Sequence, residues 1–206
     1  MDAAKNAKDK LIEELRSEGY IKSGRVLEAF KKIDRAHFVL DVHKKAAYSD
    51  YPLPIPGNAT ISAPHMHAIQ LGLIRLKEND DVLEVGFGSG ILLAYISQMT
   101  AGRIVGTEIN KETFDFGKKN LERAGFENIT LLNEDAIRSS VGKFDKIVVS
   151  AAAKSIPKKL IDMLKDGGLM IIPVGEYLQR LFVLEKKNGK ITRRDAGGVA
   201  FVPLTS

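Results

Sequence analysis

Val82-Leu83-Glu84-Val85-Gly86-Phe87-Gly88-Ser89-Gly90 passes from an apolar run into a glycine-rich turn, and Ile91 to Met99 follows at helical spacing. A strand that ends in glycines and opens a helix is where an open α/β sheet binds a nucleotide, at its carboxyl edge. Working outward, Arg103 to Glu108, Asn128 to Leu132, Phe144 to Val149 and Leu169 to Val174 read as strands. Glu112 to Ala124 and Pro157 to Leu164 read as helices. That alternation predicts an α/β fold: a Rossmann-like, doubly wound, mostly parallel sheet with right-handed crossovers. Tyr177 to Lys186 and Ile191 to Arg194 flank Asn188-Gly189 as a hairpin, and Val199 to Val202 reads as a last strand, so the C-terminal edge is expected to be antiparallel.

Upstream, Pro64 suits the first turn of a helix whose buried side is Ile69, Leu71, Leu73 and Ile74. Residues 34–62 contain three prolines at alternate positions, Pro52, Pro54 and Pro56, and read as an extended loop. Ahead of them Leu11, Ile12 and Leu15, then Val26, Leu27 and Phe30, mark two amphipathic helices. We therefore expect one domain over 1–206, in which 1–62 form a helical appendage with a substrate loop and 63–206 the cofactor-binding α/β core.

The 206 residues are 44% hydrophobic and 28% charged, enough for a core without staples. With no cysteine, a disulfide framework, thiolate metal sites and a Cys nucleophile are all excluded. No apolar run reaches the length of a membrane span, and the charged opening segment has no signal-peptide core, so the cytoplasm is the expected location. The net charge of +5 is uneven: residues 1–50 carry 11 basic and 9 acidic side chains, 51–140 carry 8 and 11, and 141–206 carry 12 and 6. The excess is scattered through the last third as lysine-rich surface, which argues for no nucleic-acid partner and no membrane.

Two nucleotide types compete for the glycine loop. A dinucleotide fingerprint needs G-x-G-x-x-G with the pyrophosphate on the helix N-terminus. Here the third glycine, Gly90, comes one residue early after Gly86 and Gly88, and Glu84 precedes them. Glu84 would repel a pyrophosphate but can pair with the ammonium group of an amino acid. S-adenosylmethionine carries that group and no phosphate, so it is the expected cofactor. Glu108, 22 residues beyond Gly86, is placed to accept from both ribose hydroxyls, and Asp135, at the end of the third strand, to accept from an adenine amine.

The blocks Ala47-Tyr48-Ser49-Asp50, Pro52 to Ile55, Thr60-Ile61-Ser62-Ala63-Pro64-His65-Met66-His67-Ala68, Ile172-Pro173-Val174-Gly175 and Phe201 to Thr205, with the glycine loop, resemble the protein-L-isoaspartate O-methyltransferase family in its archaeal form. The similarity keeps its order over about residues 25–206. It implies the fold of S-adenosylmethionine-dependent methyltransferases and methyl transfer to the α-carboxylate of L-isoaspartyl residues in damaged proteins and peptides. The ester then closes to a succinimide that reopens in part to aspartate. It assigns the catalytic role to Ser62, substrate binding to Thr60, Ser62, Ala63, His67, Val202 and Leu204, and places Ile109, Ala136 and Ser150 with the cofactor residues.

The residues suit that reaction. A carboxylate is already ionised at neutral pH and needs no general base. Ser62, just before Pro64, is expected to hold the substrate carboxylate with its hydroxyl and with free backbone N–H groups at the helix start; the plainer alternative is that Thr60 and Ser62 only cap the helix. Ala151 to Ala153 after the fourth strand leave room for a peptide backbone, whereas methyltransferases of base amines use a polar Pro-Pro motif there. His65 and His67, two apart, do not share a helix face, so no metal is expected. The Tyr48–Ile55 loop reads as a wall over the substrate and Val202 to Leu204 as a C-terminal lip. Phe87 stands where the family commonly has threonine and is expected to enlarge the cofactor loop. An S-adenosylmethionine-dependent RNA methyltransferase and a non-catalytic binding protein are the competing readings, the first motivated by the pI of about 9.3.

Overall fold

A computed structural model of the chain describes residues 2–139 and 141–205. Helices α1 (Asp2–Ser17) and α2 (Gly24–Lys32) open the chain. Their apolar stripes, Leu11, Ile12 and Leu15 on the first and Val26, Ala29 and Phe30 on the second, are buried in the same core as Leu71, Leu93 and Ile96 further along the chain.

Residues 34–62 are more regular than the prolines suggested. Two 3₁₀ turns, Arg35–Phe38 and Asp41–Ala46, lead into a two-stranded hairpin, β1 (Leu53–Ile55) and β2 (Ala59–Ile61). Pro54 is tolerated because the pair is isolated, with β1 paired to β2 alone. Gly57 and Asn58 turn the hairpin with φ of 81° and 57°. Such a Gly-Asn pair is a hairpin signal, and the three prolines just before it mask it.

Helix α3 (Pro64–Ile74) starts at its proline and buries Ala68, Leu71 and Ile74, leaving Ile69 and Leu73 only partly covered. The α/β core follows in the expected order: β3 (Val82–Val85), α4 (Ile91–Ser97), β4 (Ile104–Thr107), α5 (Lys111–Arg123), β5 (Ile129–Leu132), β6 (Phe144–Val149), α6 (Lys158–Met163), β7 (Leu164–Val174), β8 (Gln179–Lys187) and β9 (Lys190–Val199). The sheet order is β5-β4-β3-β6-β7-β8-β9, parallel through β7 and antiparallel at β8 and β9. Successive side chains enter opposite core layers, Val82 and Val148 on one face and Leu83, Ile147 and Val149 on the other. The expected last strand at Val199–Val202 is corrected: β9 runs unbroken to Val199, and beyond it only Pro203 makes an isolated bridge, to Ala152. Among the described residues no helix is long and apolar enough to cross a membrane.

Candidate active site

The chain order reverses at β3, with β4 to one side and β6 to the other, and the crevice beyond that switch point is the cavity an open α/β sheet offers a ligand. A cavity of about 270 Å³ lies there, walled by Gly86, Gly88, Glu108, Ile109, Asp135 and Ala136. The β1–β2 turn roofs it through Gly57 to Thr60, and Val202 to Thr205 close one side. A second hollow of about 540 Å³ adjoins it, lined by Pro52, Ser62, Ala63, His65 and the Gly198–Val202 segment. Between them is a space of about 30 Å³, the size of one water, lined by Ser62, His67, Glu84 and Gly86. Thr60 and Ser150 line all three.

The acidic groups are held in unusual states. Glu84 is fully buried at the end of β3; its Oε1 accepts from the Ser150 hydroxyl at 2.7 Å, and its Oε2 has no protein partner. Burial pushes its carboxyl up to about 8, against the pull of the Ser150 hydrogen bond. Glu108, one residue past β4, accepts from the Gly88 N–H at 3.2 Å through Oε2 and from the Asn110 N–H at 3.1 Å through Oε1, and burial raises its pKa as well. Asp135 does not end β5 as expected. It stands three residues beyond Leu132, where Oδ1 accepts from the Ile137 N–H at 2.8 Å and turns the chain. Its buried Oδ2 has Arg138 Nε at 3.3 Å without hydrogen-bond geometry.

The three glycines differ in use. Gly86 and Gly88 line the cavity, whereas Gly90 is away from it and begins α4 at φ 86°, where a Cβ would meet Leu121 at 2.8 Å. Phe87 does not enlarge the loop: its ring turns inward, edge-on to Phe114 with centroids 5.6 Å apart. Gly106 and Gly117 make room for it, since a Cβ on either would stand 3.0 and 2.7 Å from the ring.

At the second hollow, Ser62 follows β2 and Ala63 is the N-cap of α3. The expected free N–H groups of the helix start are taken. Pro64 has none, the His65 N–H donates to Asp50 Oδ1 at 2.9 Å, and the Met66 N–H to the Ala63 carbonyl at 3.0 Å. Asp50 thus does the capping, and its carboxylate also holds the His65 ring through Nδ1. The positive charge lies deeper. Arg35, 2% exposed, donates through Nη1 to the Ser62 carbonyl at 2.9 Å and through Nη2 to the Tyr51 carbonyl at 3.5 Å, with Nε unpartnered. Burial lowers its pKa to about 10, so it stays charged at neutral pH. His67 is buried on α3, and burial first, then Arg35, holds it neutral; its Nδ1 has no partner. Val202 and Leu204 are fixed by the backbone: Ala152 N–H donates to the Val202 carbonyl and Leu204 N–H to the Ala152 carbonyl, both at 2.8 Å. Val202 lines both cavities, and Leu204 the first alone. Arg35, Asp50 and the Gly57–Asn58 turn were not anticipated; only the turn carried a local signal.

A family model for protein-L-isoaspartate(D-aspartate) O-methyltransferase matches residues 5–206. The chain belongs to that family. It is 46% identical over 198 residues to the protein-L-isoaspartate O-methyltransferase of Pyrococcus horikoshii, covering 94% of this chain and 90% of that protein. The Methanopyrus kandleri protein of the same name is 41% identical over 207 residues, covering 97% and 92%. The crystal structure of a Plasmodium falciparum protein described as such a methyltransferase, in complex with S-adenosyl-L-homocysteine, superposes with a TM-score of 0.85 at 31% identity, covering 95% of this chain and 97% of that one. This methyltransferase is a protein-repair enzyme that uses S-adenosylmethionine. The residues fit that cofactor: Glu84 Oε2 is a buried acceptor lacking a donor, and Asp135 Oδ2 is another.

Proposed function

We propose that Ser62 holds the α-carboxylate of an isoaspartyl residue at the mouth shared by the two hollows, with the cofactor in the smaller one. The observation that carries this reading is the position of Thr60 and Ser150, which line both hollows and the narrow space between them. Glu84, Gly86, Gly88, Glu108, Ile109, Asp135, Ala136 and Ser150 hold the cofactor. Glu84 receives the ammonium group, Glu108 the ribose hydroxyls and Asp135 the adenine amine. Gly90 shapes the loop without touching the ligand. When bound, S-adenosylmethionine supplies a methyl group on a cationic sulfonium.

The protein's part is placement. No residue need remove a proton from a carboxylate, so neither His67 nor Glu84, which share the narrow space with Ser62, is required as a base. Ser62 offers a hydroxyl donor, Arg35 behind its carbonyl favours the anion, and neutral His67 adds no competing charge. Thr60, Ala63, Val202 and Leu204 form the walls that keep the peptide in line and exclude water. The basic surface of the last third lies outside this arrangement, and Ala151 to Ala153 offer nothing to grip a base amine, which favours a peptide over nucleic acid. We place the reaction in the cytoplasm.

Labelled S-adenosylmethionine should give a base-labile ester on an isoaspartyl peptide and none on its aspartyl twin. Label on tRNA, or on both peptides equally, would overturn the substrate reading. Ser62→Ala should lower kcat about ten- to a hundredfold, the worth of one hydrogen bond to a charged group, with cofactor affinity little changed.

A further inference from the structure

Asn188-Gly189, the turn between β8 and β9, is the chain's one Asn-Gly pair, and Asp166-Gly167 is its one Asp-Gly pair. The fold joins them: the Gly189 N–H donates to Asp166 Oδ1 at 2.9 Å. Both pairs are exposed. Lys186 anchors the place by donating to the Ile161 and Leu164 carbonyls at 3.1 and 3.0 Å, tying the end of β8 to the start of β7.

Both dipeptides carry the same chemical hazard. The amide nitrogen that follows Asn or Asp can attack the side-chain carbonyl carbon, and glycine, with no side chain to screen its nitrogen or restrict its backbone, permits that attack most freely. We propose that Asn188 is a site of spontaneous deamidation in this protein, and that Asp166 restrains the reaction in the folded chain by engaging the attacking N–H. This inference does not depend on the roles proposed above for Ser62 or the cofactor residues.

The step is as follows. The Gly189 nitrogen gives its proton to solvent base and bonds to Asn188 Cγ; the Cγ–Nδ2 bond breaks, and ammonia leaves after taking up a proton. The five-membered imide then adds water. Opening at the backbone carbonyl gives an isoaspartyl link with a free α-carboxylate, and opening at the side-chain carbonyl gives aspartate. While Gly189 donates to Asp166, its N–H proton is held by that bond, and the neighbouring negative charge opposes the nitrogen anion on which attack depends. Asp166 is a poor base for that proton, because the N–H groups of Gly189 and Asn188 hold its carboxyl below the usual range. The same bonds keep Asp166 ionised, the form in which its own carboxyl is least open to attack by Gly167. The β8–β9 turn and the Asp166-Gly167 pair of β7 protect each other.

The test follows amide loss at each of the eight asparagines by peptide mapping and ammonia release in neutral buffer. It compares folded wild type, folded Asp166→Ala, folded Asp166→Val and wild type in denaturant, with circular dichroism and methyl transfer to an isoaspartyl peptide as checks of the fold. Asn188 should be lost fastest of the eight in denaturant and slowly in the folded wild type. Both folded variants should lose it several-fold faster than wild type, with the other seven unchanged. The proposal is overturned if neither variant exceeds wild type at Asn188, or if Asn188 is not preferentially lost in denaturant.

Discussion

Glu84 stores a conflict that a proton or a bound cation resolves. Its carboxylate is buried with one oxygen unpartnered, and its pKa of about 8 means that the ligand-free site is largely protonated at neutral pH. The sign of the stability linkage follows. A folded pKa above the unfolded value of 4.5 contributes stability at low pH, and that contribution is lost as pH rises through about 8. The Tm of the ligand-free protein should therefore fall between about pH 5 and pH 8, and Glu84→Gln should flatten that slope. Calorimetry of S-adenosylmethionine binding at pH 7 in buffers of different ionisation enthalpy should show proton release in wild type and none in the variant, whose affinity should drop about ten- to a hundredfold. Arg35 is the second residue whose worth is legible only in three dimensions. Arg35→Met leaves the Ser62 and Tyr51 carbonyls without their donor, at about 1–3 kcal/mol each, so Tm should fall and the KM for an isoaspartyl peptide should rise with cofactor affinity nearly unchanged. Arg35→Lys, a point charge without the planar fork, should restore little of the stability. An unchanged peptide KM in Arg35→Met would remove the residue from the substrate side.

At the scale of elements, the roof over the cofactor cavity is the β1–β2 hairpin, and its tip is docked on the start of α5. The Thr113 hydroxyl donates to the Pro56 carbonyl at 2.9 Å and Asn110 Nδ2 to the Gly57 carbonyl at 3.5 Å. Gly57 allows this approach: a Cβ there would lie 2.1 Å from Thr113 Oγ1 and 2.7 Å from Asn110 Oδ1, and φ of 81° disfavours any side chain. Gly57→Ala should lift the tip, cost about 1–3 kcal/mol, and weaken S-adenosylmethionine more than it weakens the peptide. Equal affinity for the cofactor, measured by calorimetry, would show that the roof takes no part in holding it. The regular α/β elements were legible because strand and helix periodicities alternate from Val82 to Leu132 and again from Phe144 to Val174. The hairpin was not, because a three-residue strand is too short to show alternation and its prolines point to loop. The helix start at Pro64 was legible, but its occupation was not. Asp50 lies 15 residues upstream of the N–H it caps, and no local pattern announces a partner so distant.

At the scale of the molecule, the site is an assembly of segments far apart in sequence, and this decides which of its residues could be read beforehand. Glu84, Gly86, Gly88 and Glu108 follow from strand ends, because the topology of an open sheet delivers strand ends to one edge. Ser150, directly after β6, reaches the same edge by the same rule, whereas Asp135 and Ala136 reach it on the turn beyond β5. Phe87 could not be placed that way, since its direction depends on the vacancies left by Gly106 and Gly117 on other elements. The C-terminal segment is the most distant contributor, and the fold holds it with little side-chain burial. Gln179 at the start of β8 clasps it as a strand would, Nε2 donating to the Phe201 carbonyl at 3.0 Å and Oε1 accepting from the Phe201 N–H at 2.6 Å. Two further backbone bonds tie Val202 and Leu204 to Ala152. Because Val202 lines both cavities, releasing this segment should open both at once. Gln179→Ala removes the clasp but leaves the sheet intact, since β8 remains paired on both sides by backbone bonds. Its Tm should change by only a few degrees, while the KM for an isoaspartyl peptide and the Kd for S-adenosylmethionine should rise together, and removing residues 200–206 should exaggerate both effects. A Gln179→Ala enzyme with both constants unchanged would mean that the Ala152 bonds alone position the segment.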